Sequence, residues 1–598
     1  MIWEIKSSNA DVAARLASEV KIPLGIALLL VQRGISAAPA ALEFLNPSLE
    51  QLHSPYMMLG MRAAVGRLQK AFAAKERILI YGDYDVDGTV AVVILKTCIE
   101  LLGGCADFHV PHRIREGYGM KDSVIENAAA AGISLVISVD TGIRAQQEAD
   151  TARRLGLDLI VTDHHLPEAG ETLPLAFAVL NPNQPGCDYP CKDLCGAGVA
   201  FKVAQALLTE AGPDFVRLVP SFIKMAAIAT IADSVSLTGE NRAITKLGLD
   251  GLRHPVNAGL KALMKTAKVG IAKDDPITAS AIAFRIAPRI NAAGRMDIAS
   301  DVVELFTSRD AARAGELAEK LNSLNADRQA EEARIMAQVF ARLDADETLR
   351  DDYCLVIAGE GWHRGVIGIA ATRVVERTGK PSLVIAIDAA TGEAHGSARS
   401  IAAFHLLDAL ESPDCRKLFV RMGGHAHAAG FTMLTENISA LKTALNRFAR
   451  TRLTLEDFAP RLKVDAEIKL EDLNPEWMRC LNALEPFGMG NPEPVFVARG
   501  LRLIQPPRVL KDIHAKLRVV QPGPANNSDR VFDAMAWRMA EQVQKQNLVA
   551  GDILDIAFKV EENKHPDFGG LQLKICDLAR TSFAVGETKI SAAAVPAL

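Results

Sequence analysis

The chain is short of several things, and each shortage narrows what it can be. Aromatic side chains make up only 5% of the sequence, too few for recognition dominated by base stacking, so a nucleic-acid partner would be held through its backbone with little sequence preference. Nine cysteines, an odd number scattered through a large chain, do not make a disulfide framework and point to a reducing compartment. Cys187, Cys191 and Cys195 are evenly spaced but lack the paired knuckles and neighbouring His of a structural zinc site. The longest early apolar run, residues 22–31, is broken by Pro23 and Gly25 and is about half the ~20 residues of a membrane helix. Glu4, Lys6 and Asp11 precede any apolar stretch, the wrong order for a secretory signal. A cytoplasmic protein without a membrane span is expected. Strong net charge is also missing: at −5 the whole molecule is not drawn to a polyanion, which must instead meet a local basic groove or bound cations.

What is present is the composition of a folded, soluble chain, 49% apolar and 23% charged. With 598 residues it exceeds one core, and roughly 100–200 residues per domain implies three or four domains. Short apolar runs repeatedly end in acids. Ile78-Leu79-Ile80-Tyr81 leads into Gly82-Asp83-Tyr84-Asp85-Val86-Asp87-Gly88, and residues 90–102 then read as a helix. Residues 135–139 deliver Asp140, and residues 159–162 deliver Asp163, His164 and His165. Strands alternating with helices make a parallel sheet, whose ligands sit outside the strand carboxyl ends. A further apolar segment, residues 226–232, ends in Asp233. A buried carboxylate there requires a cation or strong hydrogen bonds.

Taken singly, each acid could be a helix cap or a loop residue. Together they suit phosphoryl transfer to water with two hard cations roughly 3.5–4 Å apart. Imidazole from His164 or His165 among the carboxylates shifts the preferred metal from Mg²⁺ towards Mn²⁺.

These motifs, in this order, resemble those of the DHH phosphoesterases: Asp83-Tyr84-Asp85-Val86-Asp87-Gly88, Ser138-Val139-Asp140-Thr141-Gly142, Thr162-Asp163-His164-His165 and Ile231-Ala232-Asp233. The resemblance implies that Asp83, Asp85, Asp140, His164 and Asp233 hold metal and that Asp163 and His165 support them. Asp87 either joins the ligands or caps the helix that follows it. The superfamily also contains pyrophosphatases and cyclic-dinucleotide hydrolases, so other segments must choose the substrate. The turn-rich stretch Ala287-Pro288-Arg289-Ile290-Asn291-Ala292-Ala293-Gly294-Arg295-Met296 resembles a signature of the RecJ exonucleases within this family. Its Arg289, Asn291 and Arg295 suit phosphate contacts. Three glycine-rich turns carry His363 and Arg364, Ser397 and Arg399, and His425 with His427; they resemble the substrate-facing surface of the DHH-associated domain.

The resulting expectation is an α/β protein. An N-terminal segment (1–70) packs on the core and narrows the entrance. A parallel-sheet catalytic domain (71–308) is followed by a connecting helix (309–348), an α/β DHH-associated domain (349–455), an OB-like β-barrel (456–583) and a tail (584–598). Arg113, Arg115 and Tyr118 are expected near the nucleotide being removed, and Arg508, Lys511, Lys516 and Arg518 along a single strand. The resemblance implies a 5′-to-3′ exonuclease specific for single-stranded DNA, active in repair and recombination, with two Mn²⁺ or Mg²⁺ ions. It implies a monomer whose partners include a single-strand-binding protein and a helicase. Two other readings are a phosphodiesterase of short oligonucleotides or cyclic dinucleotides, and a non-catalytic DNA-binding replication scaffold.

Overall fold

The computed structural model describes residues 1–581 apart from 114, 169, 171, 272–275, 523–529 and 564–569; the expected tail, 584–598, lies outside the described residues. Two compact units emerge. One is Pro47–Ala459 with Pro486–Pro492, and the other combines Met1–Asn46, Pro460–Glu485 and the chain from Glu493 onward.

The larger unit begins with a five-stranded sheet in the order Cys105–His109, Arg77–Tyr81, Leu135–Val139, Asp158–Thr162, Ala178–Leu180. Every pairing in it is parallel. Its central strands are apolar on both faces because helices cover both. The chain leaves Arg77–Tyr81 for the edge at Cys105–His109 and then crosses back to Leu135–Val139. The order therefore reverses between Arg77–Tyr81 and Leu135–Val139, and the carboxyl ends at such a reversal open onto a crevice. Asp140 follows the second of those strands directly, and Asp83 follows the first after Gly82.

Helices complete this core. Val86–Leu101 is buried along most of its length, so no amphipathic stripe marks it. Val219–Ala232 is likewise buried through Phe222, Ile223, Ala226 and Ile228. It belongs to Pro213–Ala232, the one stretch among the described residues long and apolar enough to cross a membrane; here it is a core helix. The segment containing Arg289, Asn291 and Arg295, expected as turns, is an α-helix, Ala287–Met296, preceded by a π-helical turn at Ile282–Ile286. Its Pro288 lies in the first turn, where no N–H is needed. Its Gly294 faces Tyr84, whose carbonyl oxygen would be 2.3 Å from an added Cβ.

A 35-residue helix, Ala311–Ala345, roughly 50 Å long, leads to a second sheet in the order Phe419–Gly424, Ala428–Leu434, Glu393–Arg399, Ser382–Asp388, Leu355–Glu360. Two of the three expected glycine-rich turns lie mainly in its strands. Gly396, Ser397 and Arg399 belong to Glu393–Arg399, and Gly423, Gly424 and Gly430 to the hairpin of Phe419–Gly424 with Ala428–Leu434. Gly396 is required because the Phe431 ring covers it at 2.0 Å from where a Cβ would stand.

In the other unit Ile2–Ile5 pairs in parallel with Arg461–Val464. Residues 1–70, expected as one segment on the core, are thus divided, with Met1–Asn46 clustering with the C-terminal strands. Those strands form a seven-stranded sheet. An added pairing of Arg502 and Leu503 with Val520 and Val519 curls it back on itself, in the manner of an OB fold.

Beneath the parallel sheet lies a fully buried ion pair, Lys202 Nζ to Glu240 Oε1 at 2.8 Å. Lys202 also donates to the His53 carbonyl at 2.6 Å, and Tyr189 donates to Glu240 Oε2 at 2.7 Å. Burial pulls the Lys202 pKa below its ordinary value, with Glu240 opposing. Removing one partner of such a pair costs about 3–5 kcal/mol. Lys202→Met is therefore expected to lower the urea midpoint by that equivalent at unchanged m-value; a midpoint equal to the parent's would show that the network contributes nothing.

Candidate metal centre and nucleic-acid surface

The first acidic loop is tight. An added Cβ on Gly88 would lie 2.6 Å from the Asp83 nitrogen, so only glycine lets the helix start this close to the strand. Asp85 caps Val86–Leu101, accepting the Gly88 N–H at 3.1 Å. The cap offered to Asp87 by the sequence is therefore taken by Asp85. Asp87 instead reaches another helix, Gly196–Glu210, where the N–H groups of Gly196 and Ala197 donate to its carboxylate at 2.6 and 2.8 Å. The positive end of that helix stabilises the charge. Cys195 is the N-cap of the same helix, its Sγ accepting the Gly198 N–H at 3.3 Å.

Asp140 sits at φ +58°, a left-handed conformation that costs a non-glycine residue roughly 1–2 kcal/mol. Gly196 makes room for it, since a Cβ there would be 2.5 Å from the Asp140 Cβ. Asp163 is buried and engaged by four donors: the N–H groups of Ile143, His164 and His165 and, at 2.7 Å, His165 Nδ1. Burial opposes its charge, but the His165 hydrogen bond and charge outweigh burial and hold the carboxyl below its usual range. Asp163 is thus occupied in orienting the loop. Asp233 is the C-cap of Val219–Ala232, at the negative end of that helix, where a carboxylate is disfavoured without a cation.

These residues converge. Three overlapping sets, Asp83 with Asp85 and Asp140, Asp87 with His164 and Asp233, and Asp140 with His164 and His165, each bring ligand atoms within 4.8 Å of one another. His164 Nε2 is 3.2 Å from Asp140 Oδ1, 3.7 Å from Asp87 Oδ2 and 3.8 Å from Asp233 Oδ2. The 3.2 Å approach lacks hydrogen-bond geometry, so Asp140 Oδ1, like Asp83 Oδ1, is buried without a donor among the described residues. Burial, then Asp85, pushes Asp83 up to about 8. Burial, then Asp87 and Asp85, does the same to Asp233, and Asp85 and Asp140 are also raised. Burial lowers His164, leaving the neutral imidazole that ligates metal. Crowded carboxylates with unfilled lone pairs and a neutral imidazole are the donor set of a hard divalent cation.

The residues expected to contact phosphate divide. Arg113 lies over the Tyr84 ring at 4.9 Å, and the Tyr118 hydroxyl is 3.4 Å from His165 Nδ1. Arg113, Arg115, Arg364 and Arg421, with His395 and Ser397, line a cavity of about 320 Å³. Arg399 donates to Ser397 Oγ at 3.2 Å; burial, then the neighbouring Arg113 charge, lowers its pKa. His425 Nδ1 accepts the His427 N–H at 3.3 Å. By contrast, Arg289 is turned inward to the Arg285 carbonyl and Asn322, and Asn291 accepts the Val86 N–H at 3.2 Å. Arg295 donates to the Gly365 carbonyl at 2.9 Å. His363 accepts the Gly365 N–H at 3.1 Å and faces a different cavity, with Trp362 and Arg334. In the smaller unit Lys516 is paired with Asp533 at 2.7 Å, whereas Arg508 and Lys511 have no ionic partner among the described residues. His395 and Arg421 escaped the sequence reading, although His395, Ser397 and Arg399 alternate along one strand face and could have been read by that period.

Residues 77–230 match the DHH family, N-terminal domain, 351–451 the DHHA1 domain and 464–577 the RecJ OB domain. The single-stranded-DNA-specific exonuclease RecJ of Bacillus subtilis is 37% identical over 580 residues, spanning 97% of this chain and 71% of that protein. The protein of the same name from Escherichia coli is 31% identical over 593 residues, 96% of this chain and 98% of its own length. The crystal structure of RecJ in complex with Mn²⁺ from Thermus thermophilus is similar with a TM-score of 0.80 at 28% identity, covering 97% of this chain and 80% of that one. The Mg²⁺ complex gives 0.75 at 27% identity, covering 98% and 79%.

Asp83 and Asp233 keep their protons up to about pH 8 when folded, against about 4 when unfolded. Between those values the cation-free folded chain binds more protons than the unfolded chain, so the stability these groups contribute falls as pH rises. Cations bind the charged forms. The rise in melting temperature on adding Mn²⁺ is expected to be larger at about pH 8.5 than at about pH 6.5; a rise independent of pH would contradict proton displacement from this cluster.

Proposed function

The chain belongs to the RecJ family of single-stranded-DNA-specific exonucleases, and on that premise we propose that it hydrolyses single-stranded DNA from an end, in the 5′-to-3′ direction, during repair and recombination. The observation that carries this is the convergence of Asp83, Asp85, Asp140, His164 and Asp233, with Asp83 Oδ1 and Asp140 Oδ1 lacking a donor among the described residues. Asp83, Asp85 and Asp140 would hold one divalent cation. His164 and Asp233, with Asp87 and the shared Asp140, would hold a second. Bound there, such ions would lower the pKa of an attacking water and neutralise charge on the phosphate, and the mixed nitrogen and oxygen donors favour Mn²⁺ over Mg²⁺.

The chain's own groups do the remaining work. Asp163 fixes the His165 ring, which keeps its neighbour His164 directed at the carboxylates. Although burial pulls His165 down, the hydrogen bond and charge of Asp163 raise it to about 9, so it presents positive charge beside the scissile phosphate. Tyr118 lies next to it. Arg113, Arg115, Arg364 and Arg421, with Ser397, Arg399 and His425 near them, take the terminal phosphate and the adjoining backbone, because a terminal phosphate carries more charge than an internal one and suits a cavity walled by guanidiniums. Arg289, Asn291 and Arg295 act through the helices they tie down. On the smaller unit, Arg508, Lys511 and Lys516 hold the backbone of a single strand. The enzyme works as a cytoplasmic monomer, alongside a single-strand-binding protein and a helicase.

Asp140→Ala is expected to reduce cleavage of single-stranded DNA with Mn²⁺ by at least about a thousandfold while sparing DNA binding at low salt; turnover near that of the parent would refute the site. On a strand labelled at both ends, the 5′ label is expected in mononucleotide first. Early release of the 3′ label would reverse the polarity, and turnover confined to dinucleotides in a length series would favour a short-oligonucleotide phosphodiesterase.

A further inference from the structure

In the smaller unit three neighbouring strands, Arg508–Leu510, His514–Val520 and Val531–Ala536, present a common outer face. Their register sets Arg508 against Lys516, Leu510 against His514, and Arg518 against Asp533. Along His514–Val520 the side chains alternate: Ala515 and Leu517 are buried, whereas His514, Lys516 and Arg518 face out. Just past the third strand stands Trp537, 44% exposed. Its ring meets the His514 ring edge-on at 4.8 Å, and His514 is pinned because its Nδ1 accepts the Arg538 N–H at 2.9 Å. Ile513, 53% exposed, extends the apolar surface at the tip of the hairpin.

The charge here is lopsided. Arg508, Lys511, Lys516, Arg518 and Arg538 face Asp512 and Asp533, five cations against two carboxylates. Asp533 is shared by Lys516 and Arg518. Arg508, Lys511 and Arg538 have no ion pair or side-chain hydrogen bond among the described residues. A large exposed indole has no folding role that requires it to face water. Set among unpaired cations, it has the two components that a single strand demands, a π-face for a base and positive charge for the flanking phosphates.

We propose that Trp537, backed by His514 and ringed by Arg508, Lys511 and Arg538, is a base-stacking platform for single-stranded DNA. This rests on the single-stranded-DNA reading given above and names a contact in which a base, and not only the backbone, is held. Stacking tolerates any base, so the platform adds affinity without sequence preference.

The chain has four tryptophans: Trp362 and Trp477 are buried, and Trp3 is half-buried with its indole N–H donated to Asp577 at 2.8 Å; Trp537 should therefore dominate any quenching by a bound strand. Oligo(dT) is titrated into the full chain without divalent metal, following intrinsic fluorescence and, separately, the anisotropy of a dye on the DNA. Quenching is expected in the parent. Trp537→Ala should lose it and bind roughly tenfold or more weakly, whereas Trp537→Phe should lose the quenching but keep affinity near the parent's. Melting temperatures close to the parent's confirm that both variants fold. Quenching that persists in Trp537→Phe, or Trp537→Ala binding as tightly as the parent, would overturn the platform. Cleavage by the parent with Mn²⁺ reports on the exonuclease reading alone, so the two can fail separately.

Discussion

The larger unit is arranged around crowded carboxylates that repel one another, Asp83 and Asp140 buried and Asp85 and Asp233 half-buried. Asp83, Asp85, Asp140 and Asp233 are each held with raised pKa by burial and by their neighbours, so the cluster is unfavourable in its charged state unless cations join it. The surrounding fold is compelled to hold it together. Asp140 is kept in a left-handed conformation, Gly88 lets a helix begin against Asp83, and Gly196 lets another approach Asp140. None of these features favours stability by itself. Each moves an oxygen towards a common point, which is the kind of local strain that persists where the surroundings over-determine it.

Asp163 and Asp87 show how the cluster is kept from collapsing. Both are buried, yet both have backbone N–H donors. Asp163 uses them to aim a loop, and Asp87 to lock the Gly196–Glu210 helix against Val86–Leu101. In the Asp163-His164-His165 tripeptide two adjacent imidazoles are driven apart. His164 is lowered by burial, while His165 is raised by the Asp163 carboxylate against the pull of burial. One ring is left to ligate and the other to carry charge.

Three of the five strands of the parallel sheet were legible because each is a short apolar run that stops at an acid, and the order of those acids carried the family resemblance; Cys105–His109 and Ala178–Leu180 end at no acid and gave no such sign. Less was legible where residue type and conformation part company. Pro288, Asn291 and Gly294 read as turn formers, but Pro288 occupies a first helical turn, Asn291 caps a neighbouring helix, and Gly294 is small because Tyr84 is in the way. Gly396 reads as a loop and is a strand residue under an aromatic ring. Pairing of Ile2–Ile5 with Arg461–Val464 joins segments far apart in the chain and leaves no local trace. Exposure is invisible to composition as well: a chain poor in aromatics can still put Trp537 at its surface.

Arg289, Asn291 and Arg295 carry a further lesson about specificity. Their residue types suit phosphate contacts, yet in the fold they join elements within the larger unit. Arg295 donates to the Gly365 carbonyl while Gly365 stands so close to the Arg295 carbonyl that a Cβ would be 2.6 Å from it. The residue beside that glycine is Arg364, one of the four guanidiniums of the 320 Å³ cavity. On the other side, Asn291 holds the N–H of Val86, next to Asp85 and Asp87. One helix, Ala287–Met296, therefore sets the separation between the acidic cluster and the arginines. On the proposed reading, in which those guanidiniums take a terminal phosphate, a helix tied at both sides by half-buried polar contacts would fix the distance from that phosphate to the bond cut without depending on the DNA.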